Sequence, residues 1–329
     1  MELTGKKVLV TGAAGFIGSH LTQQLVLSGA CVRAFVRYNS WNSCGFLDQL
    51  PADQRAEIEV VTGDLRDPDA VRKAVRGAEI VFHLGALISI PYSYQHPTEV
   101  VQTNVLGTLH VLQAVRQWEV ERMIHTSTSE VYGTAQYVPI DEGHPLQGQS
   151  PYSASKIAAD KLVESFHRSY QTPVVTVRPF NAYGPRQSMR AVIPTIINQA
   201  LHGSEIVLGN LSVTRDFTYV EDTAQAFIRA AVADEAVGDV FNVGSGREMA
   251  IHDLVQLICR IVGKTLPVRV DQARLRPEKS EVRRLLADST KAARVLQWRP
   301  TVPLEEGLRR TVEWIRQHPH LYRRDRTIT

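Results

Sequence analysis

The sequence predicts an α/β protein with a doubly wound parallel sheet and a smaller, interleaved C-terminal lobe. Strand and helix patterns alternate from the N-terminus to about residue 180, which is typical of a parallel sheet covered on both faces. A glycine-rich turn joins the first strand to the first helix, and the alternation weakens after residue 180. A later apolar run, Phe241-Asn-Val-Gly244, predicts that the chain returns to the sheet before it finishes.

The predicted strands and helices follow one another at short intervals. Strands are predicted near residues 7–11, 31–36, 57–61, 79–84, 121–127 and 173–178. Helices are predicted at residues 16–28, 68–76, 98–118, 152–170 and 191–202, with another from Asp222. The expected division is a domain of residues 1–180 with a return segment at about 222–250, and a second lobe formed mainly by residues 181–329. Ligands of such folds bind at the carboxyl ends of the strands, so the cleft between the lobes is the expected site.

The glycine-rich turn predicts a dinucleotide site. Gly12, Gly15 and Gly18 follow the first apolar run at three-residue spacing. Glycine lets the backbone approach a pyrophosphate closely, and the helix N-terminus that follows supplies free N–H donors. The pattern is typical of a Rossmann domain that binds NAD or NADP. The expected cofactor contacts are Gly12, Gly15, Phe16, Ile17, Gly18, Arg37, Asp64, Leu65, Leu84, Tyr152 and Lys156.

The residue after the second strand bears on the choice of cofactor. A carboxylate at this position would hold the adenine-ribose hydroxyls of NAD, but the sequence has Arg37. A guanidinium suits a 2′-phosphate, so NADP is favoured and NAD is the alternative. Asp64, after the third strand, is a candidate contact for the adenine amino group, and a turn role is the competing interpretation.

A second group of residues carries the chemistry. Tyr152 and Lys156 are four residues apart, which places both on one face of a helix. A neighbouring ammonium is expected to lower the pKa of the phenol, so that Tyr152 can take a proton from an alcohol. Thr128, Ser129 and Glu130 add two hydroxyls and a carboxylate at a strand end. Together these residues predict alcohol oxidation followed by further acid–base chemistry.

Composition excludes several other classes of protein. The 329 residues include 37 basic and 34 acidic side chains, a net charge of +3, which argues against nucleic-acid or membrane binding. Cys31, Cys44 and Cys259 are scattered without metal-ligand spacing, so we expect no metal site and a reduced, cytoplasmic setting. No apolar stretch reaches about 18 residues, and no signal-peptide pattern is expected at the N-terminus.

Several motifs, in order along nearly the whole chain, resemble the extended short-chain dehydrogenase/reductases, the sugar-nucleotide epimerases and dehydratases. The resemblance implies an enzyme that uses NAD or NADP on a nucleotide sugar. Its motifs are Gly12 to Gly18, Phe82 to Ala86, Thr103 to Thr108, Tyr152 with Lys156, Arg178 to Pro185, Arg215 to Asp222, and Trp298 to Leu308.

The stretch Thr128-Ser129-Glu130 is similar to that of GDP-mannose 4,6-dehydratases and of UDP-glucuronate decarboxylases. Longer segments resemble N-acetylglucosamine-nucleotide 4,6-dehydratases of legionaminic-acid-type pathways. These segments are Leu87 to Tyr94, Tyr137 to Glu142, His144 to Tyr152, Arg186 to Pro194, and Leu275 to Val282. The resemblance implies a 4,6-dehydratase acting on GDP- or UDP-N-acetylglucosamine. The alternatives are a decarboxylase, a 4-epimerase and a non-catalytic nucleotide-sensing protein.

The resemblance also implies roles for the chemical group. Tyr152 would be the base at O4, while Lys156 holds it ionised and grips the nicotinamide ribose. Thr128 would hydrogen-bond O4. Glu130 would remove the C5 proton, and Ser129 or Glu130 would help water leave from C6.

Substrate contacts are expected from five further residues. Arg215 and Arg276 are candidates for the diphosphate because arginine holds phosphate oxygens bidentately. The other candidates are Ser89, Asn181 and Arg190. Ile88, where other dehydratases often have a hydroxyl, could favour an apolar substituent such as an acetamido group. The nucleotide base, the C5 stereochemistry of the product and the pathway served are left open.

A homodimer is expected through helices 98–118 and 152–170, which relatives pair into a four-helix interface. Both helices carry more apolar residues than one sheet face requires. These residues are Val101, Val105, Leu109 and Leu112 on the first helix and Ile157, Leu162 and Phe166 on the second. Packing on the sheet alone is the competing interpretation.

Overall fold

A parallel sheet of seven strands forms the centre of the computed structural model, which describes residues 2–322. The strands are β1 (Lys7–Thr11), β2 (Cys31–Val36), β3 (Ile58–Thr62), β4 (Ile80–His83), β5 (Arg122–Thr126), β6 (Val174–Pro179), β7 (Asn181–Tyr183), β8 (Ile206–Leu208), β9 (Thr214–Tyr219), β10 (Val240–Val243), β11 (Glu248–Ala250) and β12 (Val268–Val270). Seven of these strands form the central sheet, in the order β10-β6-β5-β4-β1-β2-β3. The predicted doubly wound α/β fold is confirmed, including the return of Phe241 to the sheet beside β6.

Helices cover both faces of this sheet. The α-helices of the whole described chain, in order, are α1 (Phe16–Leu27), α2 (Ala52–Ala56), α3 (Pro68–Val75), α4 (Ile90–Gln95), α5 (Pro97–Val101), α6 (Gly107–Gln117), α7 (Pro151–Tyr170), α8 (Val192–His202), α9 (Val220–Val232), α10 (Ile251–Val262), α11 (Thr290–Val295) and α12 (Leu304–Gln317). Side chains alternate along β1, so Val8 and Val10 pack with α1 and α9, whereas Leu9 packs with α3, α6 and α7. None of the described helices is long and apolar enough to cross a membrane.

Helix α7 begins at a position fixed by its own sequence. Ser150 is the N-cap, and its side chain accepts a hydrogen bond from the backbone N–H of Ser153 at 3.1 Å. The Ser153 hydroxyl in turn accepts from the N–H of Ser150 at 2.9 Å, which completes a capping box. Tyr152 therefore lies in the first turn and Lys156 one turn later.

The helix predicted at 98–118 is present over residues 97–117, and it contains a π-helical turn that the sequence did not predict. A π-helical turn, Gln102–Leu106, separates α5 from α6. Within it the amide of Asn104 donates to the Leu87 carbonyl at 2.9 Å and to the Ser155 hydroxyl at 3.0 Å, and it accepts from the Leu87 N–H at 2.8 Å. These bonds tie the π-turn to the strand-end segment after β4 and to α7, as is common for such turns near functional sites.

Two of the apolar residues assigned to a dimer surface face the sheet instead. Leu112 and Phe166 are buried in the cluster between the sheet and helices α3, α6 and α7. Leu109 and Leu162 are partly buried against the same cluster. Val101, in contrast, is 45% exposed.

The C-terminal lobe is built from two small sheets and three helices. Strands β11, β9 and β7 form one sheet, and β12 pairs with β8 in another. Helices α8, α10 and α12 close the core of this lobe. The buried carboxylate of Asp216 on β9 accepts hydrogen bonds from three backbone N–H groups. Ser245 and Gly246 follow β10, and Ala287 lies in the segment before α11, so these bonds join β9 to both segments. The domain boundaries remain a prediction, and residues 323–329 lie outside the described residues.

Candidate active site

Lys156 is buried beneath the end of β5. Its ammonium donates a hydrogen bond to the carbonyl oxygen of Thr126 at 2.6 Å. Burial lowers the pKa of Lys156 to about 8, and the nearby carboxylate of Asp160 opposes that shift. Lys156 is therefore still mostly protonated at neutral pH, and the neighbouring carboxylate of Asp160 stabilises its positive charge.

Tyr152 departs from the expectation drawn from the sequence. Burial raises the pKa of the phenol well above its usual value, and only a hydrogen bond with the Thr128 side chain opposes this. The charges of Glu130 and Asp160 raise the pKa further. The prediction that Lys156 lowers this pKa is wrong for this structure, because burial dominates and the ammonium is bonded to Thr126.

The residues that follow β5 approach the phenol as the sequence predicts. Thr128 has an extended backbone, and its hydroxyl accepts from the N–H of Glu130 at 3.2 Å. A short 3₁₀ turn over Ser129–Tyr132 then places Ser129 in the interior and leaves Glu130 partly exposed. Thr128, Glu130 and Tyr152 are therefore brought together at one strand end.

Glu130 belongs to a cluster of four charged side chains. Arg276 Nη1 lies 4.0 Å from Glu130 Oε2 and 3.9 Å from Glu281 Oε1. The same oxygen of Glu281 lies 3.7 Å from Arg215 Nη2. Arg215 is only 6% exposed, and burial lowers the pKa of its guanidinium. Both predicted diphosphate ligands are thus beside the predicted base, together with Glu281, which the sequence analysis did not single out.

The glycine-rich turn fits a dinucleotide. Gly12 has a φ of +72°, and a Cβ there would lie 2.8 Å from the N of Gly85. A Cβ on Gly18 would lie 2.1 Å from the carbonyl oxygen of Gly12. Gly15 is the exposed N-cap of α1, a helix end without a side-chain cap. Backbone N–H groups at this end can therefore meet a pyrophosphate.

The residues expected near the adenosine half differ in their surroundings. Arg37 is exposed directly after β2. Hydrogen bonds from Arg66 hold the pKa of Asp64 below its usual range, with Arg66 Nη2 at 2.7 Å from its carboxylate. This bonding supports the turn role of Asp64. Leu65 is buried against Gly107, where a Cβ would lie 2.9 Å from the leucine side chain.

The other residues predicted to contact substrate differ in their exposure and in their hydrogen-bond partners. Asn181 carries a buried side-chain oxygen that lacks a hydrogen-bond partner among the described residues. The Ser89 hydroxyl is at 3.4 Å from the N–H of Tyr92 and caps α4. Arg190 is exposed, and its positive charge opposes the rise in the pKa of Tyr92 that the hydrogen bond with Glu99 causes. Ile88 is 68% exposed, so its side chain is open to a ligand or to solvent. Leu84 follows β4 and donates its N–H to the Thr11 carbonyl.

Comparison with known proteins agrees with this geometry. The family described as GDP-mannose 4,6 dehydratase matches residues 9–311. The chain is a member of the NAD-dependent epimerase/dehydratase family. The dTDP-glucose 4,6-dehydratase of Xanthomonas campestris pv. campestris is 34% identical over 330 residues, which cover 93% of this chain and 92% of the relative.

Solved structures of this epimerase/dehydratase family include both reactions. The UDP-N-acetylglucosamine 4-epimerase of Methanobrevibacter ruminantium M1, solved with UDP-N-acetylmuramic acid, is 31% identical with a TM-score of 0.86, covering 96% of this chain and 99% of that one. The dTDP-glucose 4,6-dehydratase DesIV of Streptomyces venezuelae, solved with NAD and TYD, is 31% identical with a TM-score of 0.85, covering 95% and 98%. The resemblance to extended short-chain dehydrogenase/reductases is confirmed.

One buried network of this epimerase/dehydratase escaped the sequence analysis. Asp160 accepts hydrogen bonds from His125 at 3.1 Å, from Ser127 at 2.8 Å and from two nitrogens of Arg178 at 3.0 and 3.1 Å. Asp160 is one helical turn beyond Lys156. That i+4 spacing on α7 was the available signal, since a buried carboxylate there needs partners on the sheet.

Proposed function

We propose that the protein is a nucleotide-sugar 4,6-dehydratase that converts an NDP-N-acetylglucosamine to the NDP-4-keto-6-deoxy sugar. The observation that carries the proposal is the carboxylate of Glu130, held close enough to Tyr152 to act on its pKa. An alcohol oxidation needs only the phenol, the lysine and the threonine. A carboxylate at the same strand end supplies the second base that an elimination requires.

The first step uses the residues around O4. Gly12, Gly15 and Gly18 would hold the dinucleotide, which would supply an acceptor for the C4 hydride and later the hydride for C6. Tyr152 takes the proton of the O4 hydroxyl, and Thr128 hydrogen-bonds to the same oxygen. Because burial raises the pKa of this phenol, its deprotonation depends on added positive charge at the site. Lys156, one helical turn along α7, is the proposed source of part of that charge.

The elimination follows from the acidity of the intermediate. Once C4 is a ketone, the C5 proton is acidic, and Glu130 removes it. The C6 hydroxyl leaves as water with the C5 proton, which Glu130 passes on directly or through Ser129, and C6 would receive the hydride in its place. C5 then takes up one proton from solvent, as Tyr152 releases to solvent the proton that it took from O4. The cofactor ends in its starting state, so the net reaction is that of a hydro-lyase.

The substrate's diphosphate and sugar meet polar groups that are suited to them. Arg215 and Arg276 bind the diphosphate. The buried side-chain oxygen of Asn181, which has no partner among the described residues, accepts from a sugar hydroxyl, whereas its amide nitrogen can donate to a diphosphate oxygen. Ser89 and Arg190 complete the proposed contacts. The exposed Ile88 lies beside an acetamido group. An Ile88→Ser variant that keeps the same preference for N-acetylated over plain hexoses would contradict this last assignment.

For the cofactor we propose NADP, because Arg37 stands exposed after β2 where a 2′-phosphate would lie. The DesIV structure contains NAD, which makes NAD the alternative. Titration calorimetry with both nucleotides decides between them. Arg37→Ala should weaken NADP binding about tenfold and leave NAD binding nearly unchanged, as expected for one lost charged hydrogen bond. Tighter binding of NAD by the unaltered protein would reject the NADP assignment.

The reaction is tested by incubating the protein with UDP-GlcNAc and with GDP-GlcNAc in deuterated water, followed by mass spectrometry and proton NMR. We expect loss of water, one deuterium at C5 and a 6-methyl signal with one of the two nucleotides. Glu130→Gln should lose water elimination at least about a hundredfold, in line with removal of a general base. Glu248→Gln, at an arginine-paired glutamate elsewhere in the lobe, is the matched control.

A 4-epimerase is the second candidate, and the Methanobrevibacter relative favours it. Inversion at C4 with C6 unchanged, and unchanged rates in Glu130→Gln, would establish the epimerase instead. Release of CO₂ from UDP-glucuronate would indicate the decarboxylase. Binding of nucleotide sugar without turnover of any of these substrates would leave the sensing protein.

We also propose a homodimer through the exposed sides of α5, α6 and α7. Val101 and Leu106 are exposed apolar residues on this surface. Analytical ultracentrifugation should give twice the chain mass at micromolar concentration. A mass of one chain throughout that range would refute the dimer.

A further inference from the structure

In the charged cluster of Glu130, Arg215, Arg276 and Glu281, one buried nitrogen of Arg276 lacks a hydrogen-bond acceptor. Arg276 Nη1 is buried and has no acceptor among the described residues. Its two nearest carboxylate oxygens, on Glu130 and Glu281, lie at 4.0 and 3.9 Å, beyond the roughly 2.7–3.2 Å of an N–H···O bond. A buried donor without an acceptor costs free energy, so this nitrogen is placed to receive an oxygen that the chain itself does not supply.

The charges of the cluster balance without a ligand. Arg215 and Arg276 face Glu130 and Glu281, two cations against two carboxylates. A diphosphate that binds both arginines brings about two further negative charges. The guanidinium of Arg276 cannot then neutralise Glu130 to the same extent, because its fork of donors is occupied by phosphate oxygens.

We propose that Arg276 is a positioning residue whose charge pairs with either Glu130 or the substrate's diphosphate, so that diphosphate binding releases Glu130 to act as a base. The inference rests on the proposed function and deepens it. Binding energy from the distant diphosphate is thereby used at the reacting carbon.

This competition has a reciprocal consequence that can be measured without turnover. If Glu130 and the diphosphate compete for Arg276, removing the charge of Glu130 must strengthen binding of a nucleoside diphosphate. A purely structural role of Arg276 predicts no such gain. A general repulsion between Glu130 and phosphate predicts a gain that does not depend on Arg276.

Titration calorimetry of the full chain, loaded with its dinucleotide, separates these cases with UDP and GDP as probes. We expect Glu130→Gln to bind the preferred nucleotide about fivefold tighter than the unaltered protein. In an Arg276→Gln background the same substitution should change the affinity less than about twofold. Glu248→Gln, whose carboxylate pairs with Arg284, is the matched control and should leave the affinity unchanged.

Unchanged affinity in Glu130→Gln overturns the proposal, as does a gain that persists with Arg276→Gln or that Glu248→Gln reproduces. If Arg276→Gln binds neither nucleotide measurably, Arg276→Lys serves as the second background. Its ammonium lacks the guanidinium fork, and the gain should again fall below about twofold. The calorimetric test involves no turnover of a sugar, so it can be interpreted even if the dehydratase assay is negative. In the same way, the absence of coupling between Glu130 and Arg276 would not change the result of the dehydratase assay.

Discussion

Replacement of Asp160 by asparagine should destabilise the protein severely. Asp160 is buried and accepts four hydrogen bonds, two of them from the buried guanidinium of Arg178. Breaking a buried ion pair by removing one partner costs about 3–5 kcal/mol, because the other charge stays in the interior without compensation. Asparagine can keep the bond from Ser127, so we expect a loss of about 3 kcal/mol in the free energy of unfolding.

Urea unfolding followed by circular dichroism measures this loss at neutral pH. Asp160→Asn with Arg178→Met should recover part of the stability, since the buried guanidinium is then no longer present without its carboxylate, although Lys156 still lacks its neighbouring anion. Asp69→Asn removes an exposed ion pair with Arg72 and should cost less than about 1 kcal/mol. A cost for Asp160→Asn no larger than that of Asp69→Asn would refute the reasoning.

The same carboxylate gives a pH dependence whose sign is fixed. Burial alone would raise the pKa of Asp160, but hydrogen bonding from His125 and the charge of Arg178 outweigh it and hold the pKa at about 2, below the ordinary 3.8. A depressed pKa contributes stability that is present above 3.8 and is lost as the pH falls through about 2. The difference in stability between unaltered protein and Asp160→Asn should therefore narrow over that interval. A difference that stays constant from pH 5 to pH 2 would contradict the assigned pKa.

Three further predictions concern the site and its scaffold. Because burial holds the pKa of Lys156 at about 8, turnover should decline as the pH rises through 8, and Lys156→Met should lose both turnover and that decline. Gly18→Ala should abolish dinucleotide binding in a calorimetric titration, because its Cβ would lie 2.1 Å from the Gly12 carbonyl oxygen. Ser150→Ala should lower the free energy of unfolding by about 1 kcal/mol through loss of the α7 cap, measured in urea.

One matched variant controls the Gly18→Ala result. Gly143→Ala adds a Cβ whose nearest neighbour is 3.4 Å away and should bind dinucleotide normally. Turnover that stays level past pH 9, tight dinucleotide binding by Gly18→Ala, or an unchanged unfolding midpoint in Ser150→Ala would each contradict the corresponding argument.

The elements of the central sheet could be predicted because their signals are local. The run from Lys7 to Thr11 is apolar and is followed by glycine, and β1 has the predicted bounds. The π-turn could not be predicted, since its bonds join Asn104 to Leu87 and Ser155, distant in sequence. A helical periodicity through residues 98–118 carries no trace of those partners.

The candidate site shows the same division. The spacing of Tyr152 and Lys156 on one helix could be predicted from the sequence, but the direction of the phenol's pKa shift could not. That direction depends on how deeply α7 is buried and on the carbonyl of Thr126, to which the ammonium donates. Glu281 was missed because its proximity to Arg215 and Arg276 arises from a segment without regular structure.

The late return of the chain to the sheet makes the two lobes inseparable by truncation. Strand β10 pairs with β6 but is made only after β7, β8 and β9. A fragment ending near residue 180 would leave β6 as an open sheet edge, whose unpaired N–H and C=O groups invite pairing with other chains. During synthesis on the ribosome, the nucleotide-binding half must therefore wait for most of the second lobe before its last strand can be added.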